Sequence, residues 1–153
     1  MIIVEKPFLS AEEKERICVL WNNEYPQRLA TNPEALDIYF NKTTNHLHFL
    51  LLDESSAIAG WAYTFDRDGE RWFSIIMDRE YQGLGLGRLM MEKLQEVENS
   101  LCGWVTDHHE ELLANGEYYR SPLHFYEKLG FNVQPEIRFE SETMSAVKIW
   151  WVK

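Results

Sequence analysis

Three glycines, Gly83, Gly85 and Gly87, alternate with leucines directly before an amphipathic stretch, and this run constrains the chain more than any other. Glycine adopts positive φ and lets other atoms approach the main chain, so such a loop can turn several backbone N–H groups toward one point. A helix behind it adds unpaired N–H donors and the positive end of its dipole. The run therefore predicts an anion site, most simply for a phosphate or pyrophosphate.

Two familiar phosphate loops do not fit this run. A Walker A loop needs Gly-Lys-Ser/Thr, which does not follow these glycines. A dinucleotide fingerprint needs a third glycine, but Gly87 is followed by Arg88, Leu89 and Met90, and that fingerprint belongs in a parallel sheet. A tight strand-to-helix turn that binds no ligand is the alternative that the run by itself leaves open.

Length and charge set the broad class. The chain has 153 residues and 45% apolar content, which predicts one globular domain over residues 1–153. The net charge of -10 argues against nucleic acid as a partner, because its binders need a basic surface. The same charge suits a cationic substrate, although it is equally explained by solubility.

Hydrophobic periodicity and turn signals predict four helices and seven strands in mixed order. An Asp68-Gly69 turn signal makes the second, third and fourth strands an antiparallel meander. Helices are predicted from Ser10 to before Pro26, from Asn32 through about Asn41, after the glycine run to about Asn99, and from Ser121-Pro122 to Gly130. The strands are predicted at Ile2–Phe8, His46–Leu52, Ile58–Phe65, Trp72–Met77, Leu101–Thr106, Asn132–Phe139 and Ala146–Val152.

Two motifs give the chain a family resemblance. Gln82-Gly83-Leu84-Gly85-Leu86-Gly87 matches the signature Gln/Arg-x-x-Gly-x-Gly/Ala of the GCN5-related N-acetyltransferase (GNAT) family. Phe125-Tyr126-Glu127-Lys128-Leu129-Gly130-Phe131 matches its second hallmark, a short helix with a tyrosine that ends in Gly-Phe. The order of elements resembles the family over residues 1–152. The resemblance implies an α+β fold with α/β/α layers, whose mixed, mostly antiparallel sheet of about seven strands carries helices on both faces.

The resemblance also implies a cofactor and the residues that hold it. Acetyl-CoA is the expected co-substrate, with its pyrophosphate on the glycine loop and its pantetheine arm between the splayed fourth and fifth strands. Main-chain groups of the fourth strand would pair with the arm, and one N–H would face the thioester oxygen. The cofactor-binding residues expected on this basis are Ile75, Ile76, Met77, Gln82, Gly83, Leu84, Gly85, Leu86, Gly87 and Arg88.

Tyr126 holds the family's general-acid position ahead of Gly130-Phe131. The expected reaction is direct attack by an amine on the thioester, after which the leaving thiolate needs a proton. A phenol, with a pKa of about 10, can give that proton to a thiolate whose conjugate acid has a pKa of about 8–9. The plainer interpretation of Tyr126 is a half-buried aromatic residue on a short helix.

The general base is less clear from the sequence. Some family members carry a histidine or glutamate on the fourth strand, but the matching positions here are Arg71 and Phe73, which cannot serve. Asp107 and His108, after the fifth strand, are the candidate bases, because histidine titrates in the useful pH range. A water chain, or a purely solvated loop at this point, is the alternative.

Residues 107–120 form a link that is longer than a strand-to-helix connection needs, and long loops often carry specificity. We expect this loop to cover the acceptor pocket, with His109, Tyr119 and Glu24 as substrate-binding candidates. The family often has Asn and Ala where this chain has Tyr119 and Pro122, so that a side-chain contact to the cofactor is in question. Ser121 could replace it, although Ser121 is also explained as an N-cap.

The leading hypothesis is an acetyl-CoA-dependent N-acetyltransferase that acts on a small cationic amine or a protein amine. A non-catalytic acyl-CoA binding or sensing module on the same fold is the alternative, and a nucleotide-binding regulatory protein is a third, disfavoured by the missing Lys-Ser/Thr. No metal is expected, since His46 and His48 have no further ligand at metal-binding spacing. No signal peptide or membrane span is visible, which predicts a cytoplasmic location without membrane partners. Homodimerisation through the C-terminal strands is left open.

Overall fold

One mixed sheet of seven strands organises the chain, and a computed structural model describes all of its residues, 1–153. Strand order across the sheet is β1-β2-β3-β4-β5-β7-β6. Every neighbouring pair is antiparallel except β4 and β5, which are parallel. The elements are β1 (Ile2–Lys6), α1 (Ala11–Glu24), α2 (Pro33–Asn41), β2 (Thr44–Leu52), β3 (Ile58–Arg67), β4 (Glu70–Met77), α3 (Leu86–Val97), β5 (Ser100–Val105), α4 (Leu123–Lys128), β6 (Asn132–Glu140) and β7 (Ser145–Val152).

Local chemistry accounts for the ends of the first two helices. Ser10 Oγ accepts from the Glu13 N–H at 3.1 Å while Glu13 Oε1 accepts from the Ser10 N–H at 2.7 Å, which is a reciprocal capping box. The helix ends at Glu24 because Pro26 pushes the residue before it, Tyr25, into an extended conformation. Asn32 caps α2 by accepting from the backbone N–H three residues later, at 2.9 Å.

Two hydrophobic cores lie on opposite faces of the sheet. Successive strand residues point to opposite faces, so Trp72 and Ile76 of β4 belong to one core and Phe73 belongs to the other. Helices α1 and α2 cover the first core, and α3 and α4 cover the second. The predicted three-layer α+β architecture with helices on both faces is therefore confirmed.

The predicted meander is also confirmed, with β3 and β4 joined by a two-residue turn at Asp68 and Gly69. Both turn residues have positive φ, 52° and 76°, which is the geometry that suits the twist of a tight hairpin. The predicted strand ends, and the predicted end of α3, differ from the observed ones by at most two residues. The helix α3, for example, ends at Val97 rather than Asn99, because Glu98 leaves the helix to bind Arg71 and β5 already begins at Ser100.

The beginning of α4 needs a correction. Pro122 is the N-cap and makes no side-chain capping bond, so Ser121 lies one position too early to be the N-cap. The Ser121 hydroxyl still accepts from the Leu123 N–H at 3.3 Å and thereby satisfies one donor of the first turn. Gly130, at a φ of 91°, follows the helix as predicted.

Candidate functional site

The sheet opens between β4 and β5. These parallel neighbours share a single registered pair, Trp72 with Cys102. Near this point the Phe73 ring packs so closely on Gly103 that a Cβ there would lie 2.7 Å from it. Beyond the pair β5 stays with β7 along its whole length, from Ser100 to Val105, while β4 continues beside β3. The C-terminal half of β4 therefore has a free edge, which is the splayed arrangement that the family resemblance implies.

The register of β3 against β4 shows which main-chain groups face this opening. The Asp78 N–H bonds the Ala59 C=O at 2.9 Å, and in an antiparallel ladder such bonded positions recur every second residue. Ile76 is therefore bonded to β3, whereas Ile75 and Met77 turn their N–H and C=O groups toward the opening. The register favours Ile75 and Met77 over Ile76 as main-chain partners of the cofactor, and the contact of each with it stays a prediction.

Two side chains already use carbonyls on this free edge, as the register requires. The Tyr25 hydroxyl donates to the Ile75 C=O at 3.1 Å. The Gln82 side-chain amide donates to the Met77 C=O at 2.9 Å, which anchors the first residue of the glycine motif to the end of the strand. The N–H groups of Ile75 and Met77 point away from β3 on the same edge and are available to a ligand.

The glycine loop presents a row of free donors. Gly83 and Gly85 have φ values of 78° and 77°, and Gly85 is the N-cap of α3 without any side-chain cap. No acceptor in the protein takes the main-chain N–H of any of the six consecutive residues from Gly83 to Arg88. Such a row at a helix N-terminus fits a pyrophosphate. The N–H groups from Gly83 to Arg88 thus form one donor array, and their role toward phosphates stays a prediction.

The side chains of this loop contribute less than its backbone. Leu84 is 68% exposed, and Arg88 pairs with Glu92 one turn along α3 at 2.8 Å. Gly87 lies inside the first turn, where an added Cβ would be 3.6 Å from the Phe125 ring. The glycines leave open space beside the N–H row, since an added Cβ at Gly83 or Gly85 would meet nothing within 4 Å.

Tyr126 lies on α4 in the second core. Its ring packs edge-on against Phe73, with centroids 5.5 Å apart, and against Phe125 and Phe131. Burial raises the pKa of Tyr126 well above its usual range, and the neighbouring Tyr119 adds to the rise. Its hydroxyl makes no hydrogen bond within the protein, yet no buried side-chain oxygen is without a partner, so the hydroxyl reaches solvent. Tyr126 is therefore protonated and free to donate.

Three phenols gather at the opening. The pKa of Tyr25 is raised well above its usual range by burial, and the phenols of Tyr126 and Tyr119 are close enough to raise it further. Burial raises the pKa of Tyr119 to about 12. Tyr119 is the substrate-binding candidate of this loop, and its phenol contributes to the raised pKa of both Tyr25 and Tyr126; its contact with substrate stays a prediction. No sequence motif points to Tyr25 as a site residue. The one local feature that could have indicated it is an aromatic residue directly before Pro26.

The candidate bases have other partners. Arg138 binds both oxygens of Asp107, at 2.8 and 3.1 Å, and this pairing lowers the pKa of Asp107. His108 Nδ1 accepts from the Glu110 N–H at 3.2 Å, which occupies the nitrogen lone pair that a neutral ring would use as a base. These contacts argue against Asp107 and His108 as the base, because the carboxylate is ion-paired with Arg138 and the histidine nitrogen already accepts a main-chain N–H.

The other two acceptor-site candidates are also structural. His109 Nδ1 accepts from the Ser121 N–H at 3.1 Å and holds the two ends of the loop together. Glu24 accepts from the Arg79 N–H at 2.8 Å, and its carboxylate also pairs with the Arg79 guanidinium. Glu24 thus fixes the segment that follows β4, and a direct contact with substrate stays a prediction.

One arginine ties the surrounding loops together. Arg28, in the short turn between α1 and α2, binds Glu111 through two nitrogens and donates to the Glu142 C=O at 3.0 Å. The neighbouring Gln27 N–H bonds the Leu112 C=O at 2.7 Å. The loop over residues 107–120 therefore docks against the end of α1, beside Tyr25, and its position over an acceptor pocket stays a prediction.

A separate surface groove lies away from this opening. It has a volume of about 620 Å³ and is lined by residues at the start of β4 and the end of β7, including Glu70, Arg71, Lys148 and Trp150. Its charged groups are paired, Lys148 with Glu70 at 2.8 Å and Arg71 with Asp66 at 3.1 Å. The polar groups that border the β4–β5 opening are free, whereas the charged groups of this groove are paired with one another.

The fold and the opening together define an acyl-CoA-binding acyltransferase. The sequence model of the acetyltransferase (GNAT) domain matches residues 45–133, and the chain belongs to this family. It is an acetyl-CoA-dependent N-acetyltransferase with an amine as acceptor. None of its four helices combines the length and apolar character needed to cross a bilayer.

Comparison with solved structures gives the same fold. An aminoglycoside 6'-N-acetyltransferase complexed with coenzyme A matches with a TM-score of 0.71 at 14% identity, covering 99% of this chain and 97% of that one. A phosphinothricin acetyltransferase from Sinorhizobium meliloti in complex with AcCoA matches with a TM-score of 0.66 at 13% identity, covering 99% and 89%. Spermidine N-acetyltransferase from Vibrio cholerae, with CoA and spermine, has a TM-score of 0.63 at 15% identity, covering 98% and 95%. No curated protein matches the chain.

Proposed function

We propose that acetyl transfer takes place in the β4–β5 opening, with Tyr126 as the general acid. The observation that carries the proposal is the coincidence of three free donor sets at one place. These are the N–H row from Gly83 to Arg88, the outward N–H groups of Ile75 and Met77, and the uncommitted hydroxyl of Tyr126.

The donor sets match the parts of acetyl-CoA in order. The N–H row holds the pyrophosphate, and the free edge of β4 pairs with the amides of the pantetheine arm. When bound, acetyl-CoA supplies the activated acetyl group and a thiolate leaving group. An outward N–H of β4 stabilises the negative charge that develops on the thioester oxygen.

Tyr126 supplies the proton that the reaction needs. As the amine nitrogen bonds the carbonyl carbon, the carbon–sulfur bond breaks and Tyr126 Oη gives its proton to the sulfur. The proton that the amine loses passes through solvent and restores the phenol. Burial disfavours negative charge on the phenolate and on the thiolate alike, so it keeps the phenol protonated without making the transfer strongly unfavourable.

We assign no side chain as general base. Asp107 is neutralised by Arg138, and the Nδ1 atoms of both loop histidines accept main-chain N–H groups. The acceptor amine therefore reacts from its own neutral fraction. Acceptor kcat/KM is then expected to rise with pH up to the pKa of the free amine, which is about 10.4 for a lysine-like amine and about 8 for an α-amine.

The acceptor is a small cationic amine or a protein amine. The net charge of -10 supports a cationic acceptor through long-range attraction, and a cytoplasmic location stays a prediction. Thiol release from acetyl-CoA would be measured with phosphinothricin, an aminoglycoside, spermidine and a peptide with a free N-terminal alanine. Calorimetric titration with acetyl-CoA, CoA and ATP would accompany it. Failure of a folded protein to bind either CoA form, or binding of ATP alone, would contradict the proposal.

A further inference from the structure

Tyr25 is placed at the opening by the end of α1. Its own N–H closes the last turn on the Trp21 C=O at 3.0 Å, and Pro26 holds it extended. Its ring lies edge-on to the Trp21 ring with centroids 4.9 Å apart. The hydroxyl then reaches the Ile75 C=O at 3.1 Å, on the free edge of β4. The Tyr25 side chain is therefore held both at its backbone and at its hydroxyl.

Tyr25 and Tyr126 approach the opening from opposite faces of the sheet. Tyr25 packs against the core under α1 and α2, whereas Tyr126 belongs to the core under α3 and α4. Phe73, beside the closed end of the opening, packs against Tyr126 on that face. An acetyl group held at the free edge of β4 would have one phenol on each side.

The hydrogen bonds give these two phenols different capacities. A phenol has one proton to donate and lone pairs to accept with. The proton of Tyr25 is committed to the Ile75 C=O, so its oxygen is left as an acceptor only. The hydroxyl of Tyr126 has no acceptor in the protein, so its proton can be given away.

We propose that Tyr25 binds the acceptor amine, an assignment that rests on the function proposed above. Tyr25 Oη accepts one N–H of the neutral amine and leaves the nitrogen lone pair directed at the thioester carbon. No covalent bond to Tyr25 forms or breaks. Its hydroxyl proton stays on Oη and remains donated to the Ile75 C=O. The acceptor favoured by this arrangement is a primary amine, because one N–H is held by Tyr25 and a second is lost in the reaction.

Tyr25→Phe removes only the hydroxyl oxygen and tests this role. A single hydrogen bond corresponds to about 1 kcal/mol, so the acceptor KM should rise about five- to tenfold. Calorimetric titration of the same amine into the enzyme–CoA complex should show a matching loss of affinity. The affinity for acetyl-CoA should not fall, because the N–H row and the outward N–H groups of β4 keep all their donors. Tyr39→Phe is the matched control, because Tyr39 lies on the same face with its hydroxyl 3.4 Å from Ser74 Oγ.

The outcomes separate this inference from the proposed function. Wild type that turns over no amine in the panel contradicts the proposed function, and this inference with it. Wild type that is active, with a Tyr25→Phe variant of unchanged acceptor KM, overturns only the role of Tyr25. Loss of acetyl-CoA affinity in Tyr25→Phe also overturns it, because Tyr25 would then act through the strand edge. Circular dichroism checks folding, and Tyr25→His, too short to reach Ile75, replaces a Tyr25→Phe variant that does not fold.

Discussion

The two ends of β4 use polar groups in opposite ways. At the start of the strand, the Arg71 side chain donates all five of its N–H groups to protein acceptors, including both oxygens of Glu98. At the far end, the free edge and the N–H row from Gly83 to Arg88 keep their donors unused. The first arrangement leaves no donor of Arg71 for a ligand, and the second leaves a row of donors for one.

This contrast distinguishes the groove at the start of β4 from the β4–β5 opening. Space alone does not bind a ligand, since affinity needs polar groups whose hydrogen bonds are not already made. The guanidinium of Arg71 beside the 620 Å³ groove has no donor left, whereas the narrow β4–β5 opening is bordered by unused N–H groups and a free phenol. Substitutions at the first end should therefore change stability, and substitutions at the second end should change binding and catalysis.

The largest effect is expected for Tyr126→Phe. Loss of a general acid lowers kcat by about 10²- to 10³-fold, while acetyl-CoA affinity and the melting temperature change little because the ring stays in place. Steady-state thiol release and calorimetry measure the two quantities. Tyr118→Phe is the control, since Tyr118 is 65% exposed in the adjacent loop. An unchanged kcat in Tyr126→Phe would remove Tyr126 from the chemistry.

A pair of glycines gives a sharper comparison. Gly85 and Gly69 have nearly the same φ, 77° and 76°, and both would place a Cβ in open space. Gly→Ala at either site should cost about 1 kcal/mol of unfolding free energy through backbone strain. Only Gly85→Ala should weaken acetyl-CoA binding, by about tenfold, because it disturbs the N–H row. Equal CoA affinities in the two variants would show that this row is only a turn.

Acid sensitivity should come from the interior rather than from the site. His48 is buried, and its Nδ1 accepts from the indole N–H of Trp61 at 3.1 Å. Burial lowers the pKa of His48 to about 4. The unfolded chain, with a histidine pKa of about 6.5, binds the proton first, so stability is complete above that value and falls as the pH drops toward 4.

Denaturant unfolding measures this loss. The contribution of His48 should be about 2 kcal/mol between pH 7 and pH 5. His48→Gln should have a flatter profile over that interval, whereas His124→Gln, at an exposed position, should retain the wild-type profile. Parallel profiles for wild type and His48→Gln would mean that another group carries the acid sensitivity.

The smallest effect is expected at the start of β4, where Arg71 binds Glu98. Glu98→Gln removes the charge that faces Arg71, and because both side chains still reach solvent the cost should be about 1–2 kcal/mol of unfolding free energy. Acceptor turnover and acetyl-CoA affinity should equal those of wild type. A loss of activity in folded Glu98→Gln would contradict the proposal that the start of β4 serves stability and the far end serves ligand binding.

Local patterns predicted the elements well because local forces form them. The capping box at Ser10, the Asp68-Gly69 turn and the glycine run each satisfy their own backbone groups within a few residues. Roles that depend on a distant partner were predicted less well. Asp107 is a plausible base until Arg138, which is 31 residues away, neutralises it.

The sequence by itself determined the order of strands and helices, the position of the anion loop and the tyrosine of α4. These features follow from periodicity, glycine conformation and two short motifs. Only the tertiary structure decided which main-chain groups of β4 are free and that Tyr25, 50 residues from Ile75, meets them. The physical reason is that strand register and long-range hydrogen bonds determine whether a polar group is already satisfied, and no local pattern encodes that.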